Sequence, residues 1–241
     1  MLNFGAFELQ ETPERLTERL VLQPKLVDNL PEIPVMPETL LRMELGMHEY
    51  AVDLGAMSQL VLGDLGATLQ ILRLAARECG AGDAHPARME DCISGLGLQS
   101  CLKAAARERV RSDVRYSTVF ETWAHAREIA LACKTLAREQ GMVSPDEAYL
   151  VGLCHGIGSL PELLGWERPG YGGNSWASVG RRLAERWSLP NCVSKFFSEM
   201  RMERGEGRWS YLVREAHQKA SRSTIGCPLF NGDRSSLRSH V

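Results

Sequence analysis

Two histidines, His125 and His155, are the residues of this 241-residue chain whose type and spacing best suit metal chemistry. Imidazole nitrogens bind transition metals, and residues on neighbouring helices can meet although 30 positions separate them. A catalytic site needs at least three protein ligands, and Gly156, which follows His155, offers none from its side chain. The pattern therefore predicts two buried, hydrogen-bonded histidines, with Glu121 one turn before His125 as a partner. A weakly held transition metal is the alternative.

Two other chemical interpretations of this region are not supported by its residues. Gly156-Ile157-Gly158 lacks the Lys-Ser/Thr tail and the preceding strand of a phosphate-binding loop. Cys154 and His155 are adjacent on a predicted helix, so their side chains point about 100° apart and cannot form a nucleophile and its base. The remaining four histidines are expected in loop-like or solvent-facing positions without forming a cluster: His48, His85, His217 and His240. The sequence thus predicts no catalytic residue, no metal and no cofactor.

The composition is that of a soluble globular protein, with 44% hydrophobic and 24% charged residues. The formal net charge of −2 gives no bias toward nucleic acid or an anionic membrane. Seven cysteines without a CxxC pair favour reduced thiols in a reducing compartment. Neither a signal peptide nor an apolar run of about 18 residues is found. These features predict a cytoplasmic protein without membrane contact.

Apolar residues recur at helical spacing along most of the chain, and no useful length alternates as a strand does. Three prolines within 31–37 predict an extended segment, because proline fixes φ and restricts the residue before it. Helices are predicted over 38–45, 50–62, 65–78, 118–139, 175–187, 190–200 and 208–220, with two more in 89–110 that are broken at Gly95 and Gly97.

The ends of several helices carry recognisable signals. Thr12 is predicted to cap a short helix, and Gly141 to end the helix over 118–139. Ser144 is predicted to cap the next helix through a capping box with Glu147, and this helix, apolar all round, should be buried as far as Cys154. A stretch rich in glycine and proline, 156–174, interrupts the helical pattern.

Several of these segments resemble a known family. Trp123-Ala124-His125 and the stretch 147–158, which ends in His155-Gly156-Ile157-Gly158, resemble the HD-domain pattern of a histidine followed by His-Asp-Ile-Gly. Further pieces resemble its HDOD subfamily in particular: 30–34, 69–75, 93–98 and 179–190. The resemblance covers roughly residues 22–220 and implies an all-α, HD-domain-like helical bundle with an N-terminal helical lobe.

This resemblance also implies a division of the chain. The expected parts are an N-terminal extension with a short helix (1–21), an N-terminal lobe (22–112), a degenerate HD-like lobe (113–205), a C-terminal helix (206–220) and a loose tail (221–241).

Catalytic HD phosphohydrolases hold divalent metal with the first His, the His-Asp pair and a distant Asp, and the resemblance points to four vestigial positions of that site. They are His125, His155, Gly156 and Trp176. Gly156 stands where the metal-anchoring Asp is expected, and Trp176 stands where relatives often carry His. Phe196-Phe197 replaces a pair of histidines. The chain is therefore expected not to be an enzyme.

The family resemblance implies a non-catalytic regulatory or protein-interaction module in bacterial signal transduction. The alternatives are a small-ligand or nucleotide-binding module that uses the vestigial pocket, and a divergent metal-dependent phosphohydrolase. A protein partner is expected, with contact surfaces around Pro31–Pro37 and in the loop within 156–174. That loop carries Trp166 and Tyr171, and exposed aromatic residues on loops are frequent interface anchors.

Overall fold

A computed structural model describes residues 33–48, 52–79, 88–106, 116–166, 175–200 and 207–221. Every regular element among these residues is helical, which confirms the all-α prediction. The α-helices are α1 (Pro37–Met47), α2 (Leu54–Leu62), α3 (Leu65–Cys79), α4 (Met89–Leu96), α5 (Leu98–Ala106), α6 (Tyr116–Gln140), α7 (Pro145–Cys154), α8 (Leu160–Leu163), α9 (Trp176–Arg186), α10 (Asn191–Met200) and α11 (Arg208–Ser221). A 3-10 turn (Ile157–Ser159) lies between α7 and α8.

The chain divides into two compact units, Met1–Glu32 and Ile33–Val241, and all described residues belong to the second. The predicted boundary between two lobes falls in 107–115, outside the described residues, and stays a prediction. None of the helices in the described part of the chain combines the length and apolar character that crossing a bilayer requires.

A buried carboxylate joins the start of the described chain to α3. Residues 33–36 form no helix, and Met36 has extended dihedral angles, φ −64° and ψ 133°, in agreement with the predicted extended segment. Asp64, which precedes α3, accepts hydrogen bonds from the Ala67 N–H at 3.1 Å and from the Met36 N–H at 2.8 Å. The first bond caps α3 and the second ties the extended segment to it. Burial raises the pKa of the Asp64 carboxyl even so, because the loss of hydration outweighs the bonds it accepts.

Helices α6 and α7 approach each other closely, and glycine makes this possible. A Cβ atom on Gly152 of α7 would lie only 2.7 Å from the Cα atom of Ala130 on α6. The pair is also joined by an ion pair of 2.9 Å between Lys134 Nζ and Asp146 Oδ1. The contact between Gly152 and Ala130 fixes the C-terminal end of α7, and therefore His155, relative to α6.

Helix α11 is held against the same pair by its N-terminus and its apolar face. The Glu199 carboxylate of α10 accepts hydrogen bonds from the backbone N–H groups of Trp209 and Ser210, both at 2.9 Å. These groups lack partners inside the helix, so the carboxylate acts as a cap from a neighbouring element. Trp209 and Leu212 are buried, and α11 packs on α6, α7 and α10.

Several predicted helix ends are corrected by the structure. Residues 52 and 53 precede α2 instead of lying within it, and Gly95 lies inside α4, so that only Gly97 breaks the helix, at φ 77°. Ser144 precedes α7 but its hydroxyl makes no capping hydrogen bond. The 3-10 turn and α8 lie within 156–174, where proline at the first turn of α8 supports a helix rather than interrupting one. The short helix at Thr12 and the tail after 221 lie outside the described residues.

Candidate functional site

Three histidines from three helices meet in the interior. His125 lies on α6, His155 directly follows α7, and His217 lies on α11. The ring centroids are 5.4 Å apart for His125 and His155, 5.2 Å for His125 and His217, and 4.9 Å for His155 and His217. One ligand nitrogen from each ring lies within 4.8 Å of the other two. We call this group the histidine triad.

The position of His217 corrects the sequence analysis, which expected it in a solvent-facing position without a cluster. Its side chain is half-buried, and it follows the buried Val213 by four residues on α11. Residues four apart share one helix face, so the predicted apolar face of 208–220 already contained the signal that His217 points inward. The prediction of no metal depended on counting two histidines, and the structure changes that count to three.

His155 is the most deeply buried member of the triad and has a defined tautomer. Its Nδ1 atom lies 2.7 Å from the carbonyl oxygen of Gly152. A carbonyl oxygen can only accept a hydrogen bond, so Nδ1 carries the proton and Nε2 carries the lone pair. His155 is 2% exposed, which confirms the prediction of a buried, hydrogen-bonded histidine.

Burial also keeps the three imidazoles neutral. Loss of hydration, reinforced by His217, lowers the pKa of His155 to about 3. Loss of hydration, reinforced by His125, lowers the pKa of His217 to about 4. The pKa of His125 is lowered by burial as well, although the charge of Glu128 opposes the shift. At neutral pH the triad is therefore a set of uncharged nitrogen donors.

The predicted partner of His125 is not found. Glu121 is exposed, and no hydrogen bond joins it to His125 among the contacts of the described residues. The Nε2 atom of His125 is buried without a hydrogen-bond partner in this part of the chain. A buried nitrogen without a hydrogen-bond partner lowers the stability of the fold by about 1–3 kcal/mol, and a ligand that binds this nitrogen would remove that cost.

The two glycines after His155 have different surroundings. A Cβ atom on Gly156 would have no neighbour within 4 Å, and the backbone there has an ordinary negative φ of −92°. A Cβ atom on Gly158 would overlap the backbone carbonyl of Trp176 at the start of α9. Gly158 is therefore required for the close approach of α9, whereas Gly156 leaves room for the carboxylate that the HD pattern has there.

Aromatic rings occupy the positions at which the resemblance to HD relatives implies histidines. Trp176 packs against Phe196 and Phe197 with centroid distances of 6.4 and 5.8 Å, and the two phenylalanines are 4.9 Å apart. Both phenylalanines are buried, and Trp176 is half-buried. This aromatic cluster provides no ligand atom.

The donor set decides which metals fit. Across the described residues, no aspartate or glutamate joins the histidine triad. Magnesium and manganese prefer carboxylate and water oxygens, so the cations that an HD phosphohydrolase anchors through its aspartates do not match these residues. Neutral imidazoles instead suit zinc and the neighbouring transition metals.

Two further features bear on the chemistry of the site. The Cys154 thiol is buried, and burial raises its pKa above the ordinary range, so it is not a nucleophile.

Trp166 is half-buried against Trp187 with centroids 6.2 Å apart, whereas Tyr171 lies outside the described residues. The five cysteines whose side chains are described form no disulfide bond with one another: Cys92, Cys101, Cys133, Cys154 and Cys192.

The HDOD domain family matches residues 33–165, more than half of the chain, and the chain belongs to this family. The match contains His125 and His155 and ends before His217. The third member of the triad therefore comes from outside the region by which the family is recognised. A comparison with curated proteins found no match.

Two solved structures are similar to this chain, and the first of them shares its fold. The MmoQ response regulator of Methylococcus capsulatus strain Bath is similar over 82% of this chain and 90% of its own, with 21% identity and a TM-score of 0.62. An HDOD domain protein of unknown function from Geobacter sulfurreducens is similar over 93% of this chain and 86% of its own, with 21% identity and a TM-score of 0.37. At 21% identity the similarity to MmoQ supports the fold and not a shared activity.

Proposed function

We propose that this chain is a non-catalytic regulatory module that acts through protein contacts in bacterial signal transduction. The observation that carries the proposal is the donor set: among the described residues, no aspartate or glutamate joins the three histidines of the triad. The resemblance to HD proteins adds that Gly156 and Trp176 stand where relatives carry ligands. Phosphodiester hydrolysis by HD enzymes needs anchored cations that activate water, and carboxylates do the anchoring. Membership of the HDOD family and a fold shared with a response regulator support the signalling role.

A small-ligand function has less support. His155 is 2% exposed, so a ligand has little access to this member of the triad. A cavity of about 210 Å³ lies instead between α2, α4, α6 and α7, and its lining contains none of the three histidines. Its volume is below the 300–1,000 Å³ that is typical of ligand pockets. Two ion pairs, Arg88–Glu90 and Lys134–Asp146, already occupy charged groups of its wall.

The exposure of the described residues indicates which parts of the two predicted contact surfaces are available to a protein partner. The described part of Pro31–Pro37 is buried from residue 33 to residue 35, so it is not itself a docking surface. The helix that follows exposes Leu41 and Leu45, which lie one turn apart and are 55% and 59% exposed. Trp166 is half-buried, so part of its side chain remains accessible to a partner. We assign the partner contact to α1 and to the loop at Trp166.

The non-catalytic part of the proposal is tested by hydrolysis assays. The tag-free chain is incubated with a chromogenic phosphodiester and with cyclic dinucleotides, in the presence of Mg²⁺, Mn²⁺ or Zn²⁺. We expect no turnover above that of the metal alone. Turnover that disappears in a His155→Gln variant would establish an enzyme and overturn the proposal.

The interaction part is tested by comparing variants of the full chain. Partners captured by the wild-type protein are compared with those captured by Leu45→Glu and Trp166→Ala, with Phe120→Glu as a control at another exposed apolar residue. We expect the first two variants to lose a partner that the control retains. Loss in a folded His155→Ala variant alone, with the surface variants unaffected, would assign the function to the buried site instead.

A further inference from the structure

We propose that His125, His155 and His217 bind one transition-metal ion of the zinc class and thereby attach α11 to α6 and α7. This inference goes beyond the proposed function, because a bound metal can be structural or regulatory without hydrolysis. It also differs from the HD pattern, since its third ligand comes from α11 and none of its ligands is a carboxylate.

The geometry requires only small side-chain movements. The three ligand nitrogens lie within 4.8 Å of one another, whereas nitrogens around a tetrahedral zinc ion at 2.0–2.1 Å are about 3.4 Å apart. Rotations about the side-chain torsions bring imidazole nitrogens together over such distances. Because His125 lies on α6, His155 directly follows α7 and His217 lies on α11, a metal between them adds a cross-link to helices that already pack together.

A second observation supports the site independently of the distances. Metal-binding histidines usually donate the hydrogen of the second ring nitrogen to a backbone carbonyl or a carboxylate, which fixes the tautomer and orients the ring. His155 does this already, through Nδ1 and the carbonyl oxygen of Gly152 at 2.7 Å. The buried Nε2 atom of His125 has no hydrogen-bond partner among the described residues, and a bound metal would satisfy it.

The inference predicts a defined mode of coordination. Three imidazoles leave a fourth position of a tetrahedral ion for water or another small ligand. His125 and His217 are half-buried, so this position is on the more accessible side of the triad, away from His155. A partner or an anion that reaches this position could then alter how firmly α11 is held.

The test uses the tag-free full chain after removal of metal with a chelator. The protein is dialysed against Zn²⁺, and the bound metal is measured by elemental analysis for the wild type, His217→Leu and His48→Gln. Leucine fills a similar volume without a donor atom, and His48 is exposed and outside the triad. All three proteins keep the seven cysteines, so zinc bound by thiols cannot produce a difference between them.

We expect one Zn²⁺ per chain in the wild type and in His48→Gln, and at least a roughly 100-fold weaker affinity in His217→Leu. Zinc at about a hundred times the dissociation constant should raise the Tm of the wild type by roughly 5–10 °C and leave that of His217→Leu unchanged. Equal uptake by the wild type and His217→Leu, or no uptake by the wild type, would overturn the inference.

A measurement on the wild type covers the case in which His217→Leu does not fold. One equivalent of Co²⁺ should give the intense visible absorption of a low-coordinate ion with nitrogen ligands, and the weak spectrum of the six-coordinate aquo ion would overturn the inference. Hydrolysis assays on the zinc-loaded protein separate the two proposals. Bound zinc together with phosphodiesterase activity would refute the non-catalytic function and support the metal site. If neither zinc binding nor activity is found, the metal site is refuted and the non-catalytic function stands.

Discussion

The histidine triad and the aromatic cluster both lie among the helices α6 to α11, but they have opposite chemical character. The triad places three imidazole nitrogens within 4.8 Å of one another, and the Nε2 atom of His125 has no hydrogen-bond partner among the described residues. The aromatic cluster consists of rings that pack on one another with centroid distances of 4.9 to 6.4 Å. One region therefore offers ligand atoms, whereas the other offers apolar packing.

The two regions also contribute differently to stability. Burying an aromatic ring in contact with other rings is favourable, whereas burying a polar nitrogen is costly unless it is satisfied. We therefore expect the aromatic cluster to stabilise the fold in any solution, and the triad to depend on pH and on metal.

The largest effect is expected from Phe197→Ala in the aromatic cluster. Phe197 is fully buried, and its removal leaves a cavity beneath Trp176 and Phe196. The free energy of unfolding should fall by about 3–5 kcal/mol in urea denaturation. Phe120→Ala is the matched control, because Phe120 is 61% exposed, and it should change stability by no more than about 0.5 kcal/mol. Similar losses in both variants would show that the aromatic cluster is not a packed core.

A smaller effect is expected where the backbone positions the triad. Gly152→Ala places a methyl group against Ala130 and should separate α6 from α7, at a cost of about 1–3 kcal/mol in urea denaturation. Gly95→Ala is the control within α4, since its added methyl group meets no neighbour within 4 Å, and it should leave stability unchanged or raise it by up to about 1 kcal/mol. A neutral Gly152→Ala would contradict the close contact of α6 and α7.

The pH dependence of the metal-free protein should distinguish the triad from the aromatic cluster. The folded-state pKa of His155 is about 3 and that of His217 about 4, both below the ordinary value of 6.5. The unfolded chain therefore binds more protons in this window, and stability is lost as the pH falls below about 6.5, by about 1 kcal/mol per pH unit for each imidazole. Denaturation in the presence of a chelator measures this slope. His217→Leu should reduce it, and an unchanged slope would exclude His217 as its source.

The smallest effect is expected from Gly156→Asp. The position has open space and an ordinary φ, so the free energy of unfolding should change by no more than about 1 kcal/mol. We expect no phosphodiesterase activity, because the aromatic cluster still lacks the other ligands of the HD pattern. Gly158→Asp is the contrasting variant and should destabilise strongly, since its side chain would meet the Trp176 backbone. Hydrolysis by Gly156→Asp would show that one missing carboxylate had silenced an otherwise complete enzyme.

Periodicity and helix signals predict most of this fold from the sequence. The end of α6 at Gly141 with φ 67° and the buried character of α7 follow from local rules. The inward direction of His217 follows from the apolar face of 208–220, but its meeting with His125 does not, because that depends on the packing of α11 on α6, which no local pattern encodes. The cap of α11 was missed for the same reason. The Glu199 carboxylate accepts a hydrogen bond from the N–H group of Trp209, which lies ten residues further along the chain.

The most direct test of the retained ligand chemistry is nitrogen NMR of the histidine rings in the wild-type chain. The chain has six histidines, and one equivalent of Zn²⁺ is added to the metal-free protein at neutral pH. We predict that the ring signals of His125, His155 and His217 shift together and reach completion at one equivalent, while those of the other three histidines do not move. Unchanged signals of His217 alongside shifts elsewhere would contradict the account.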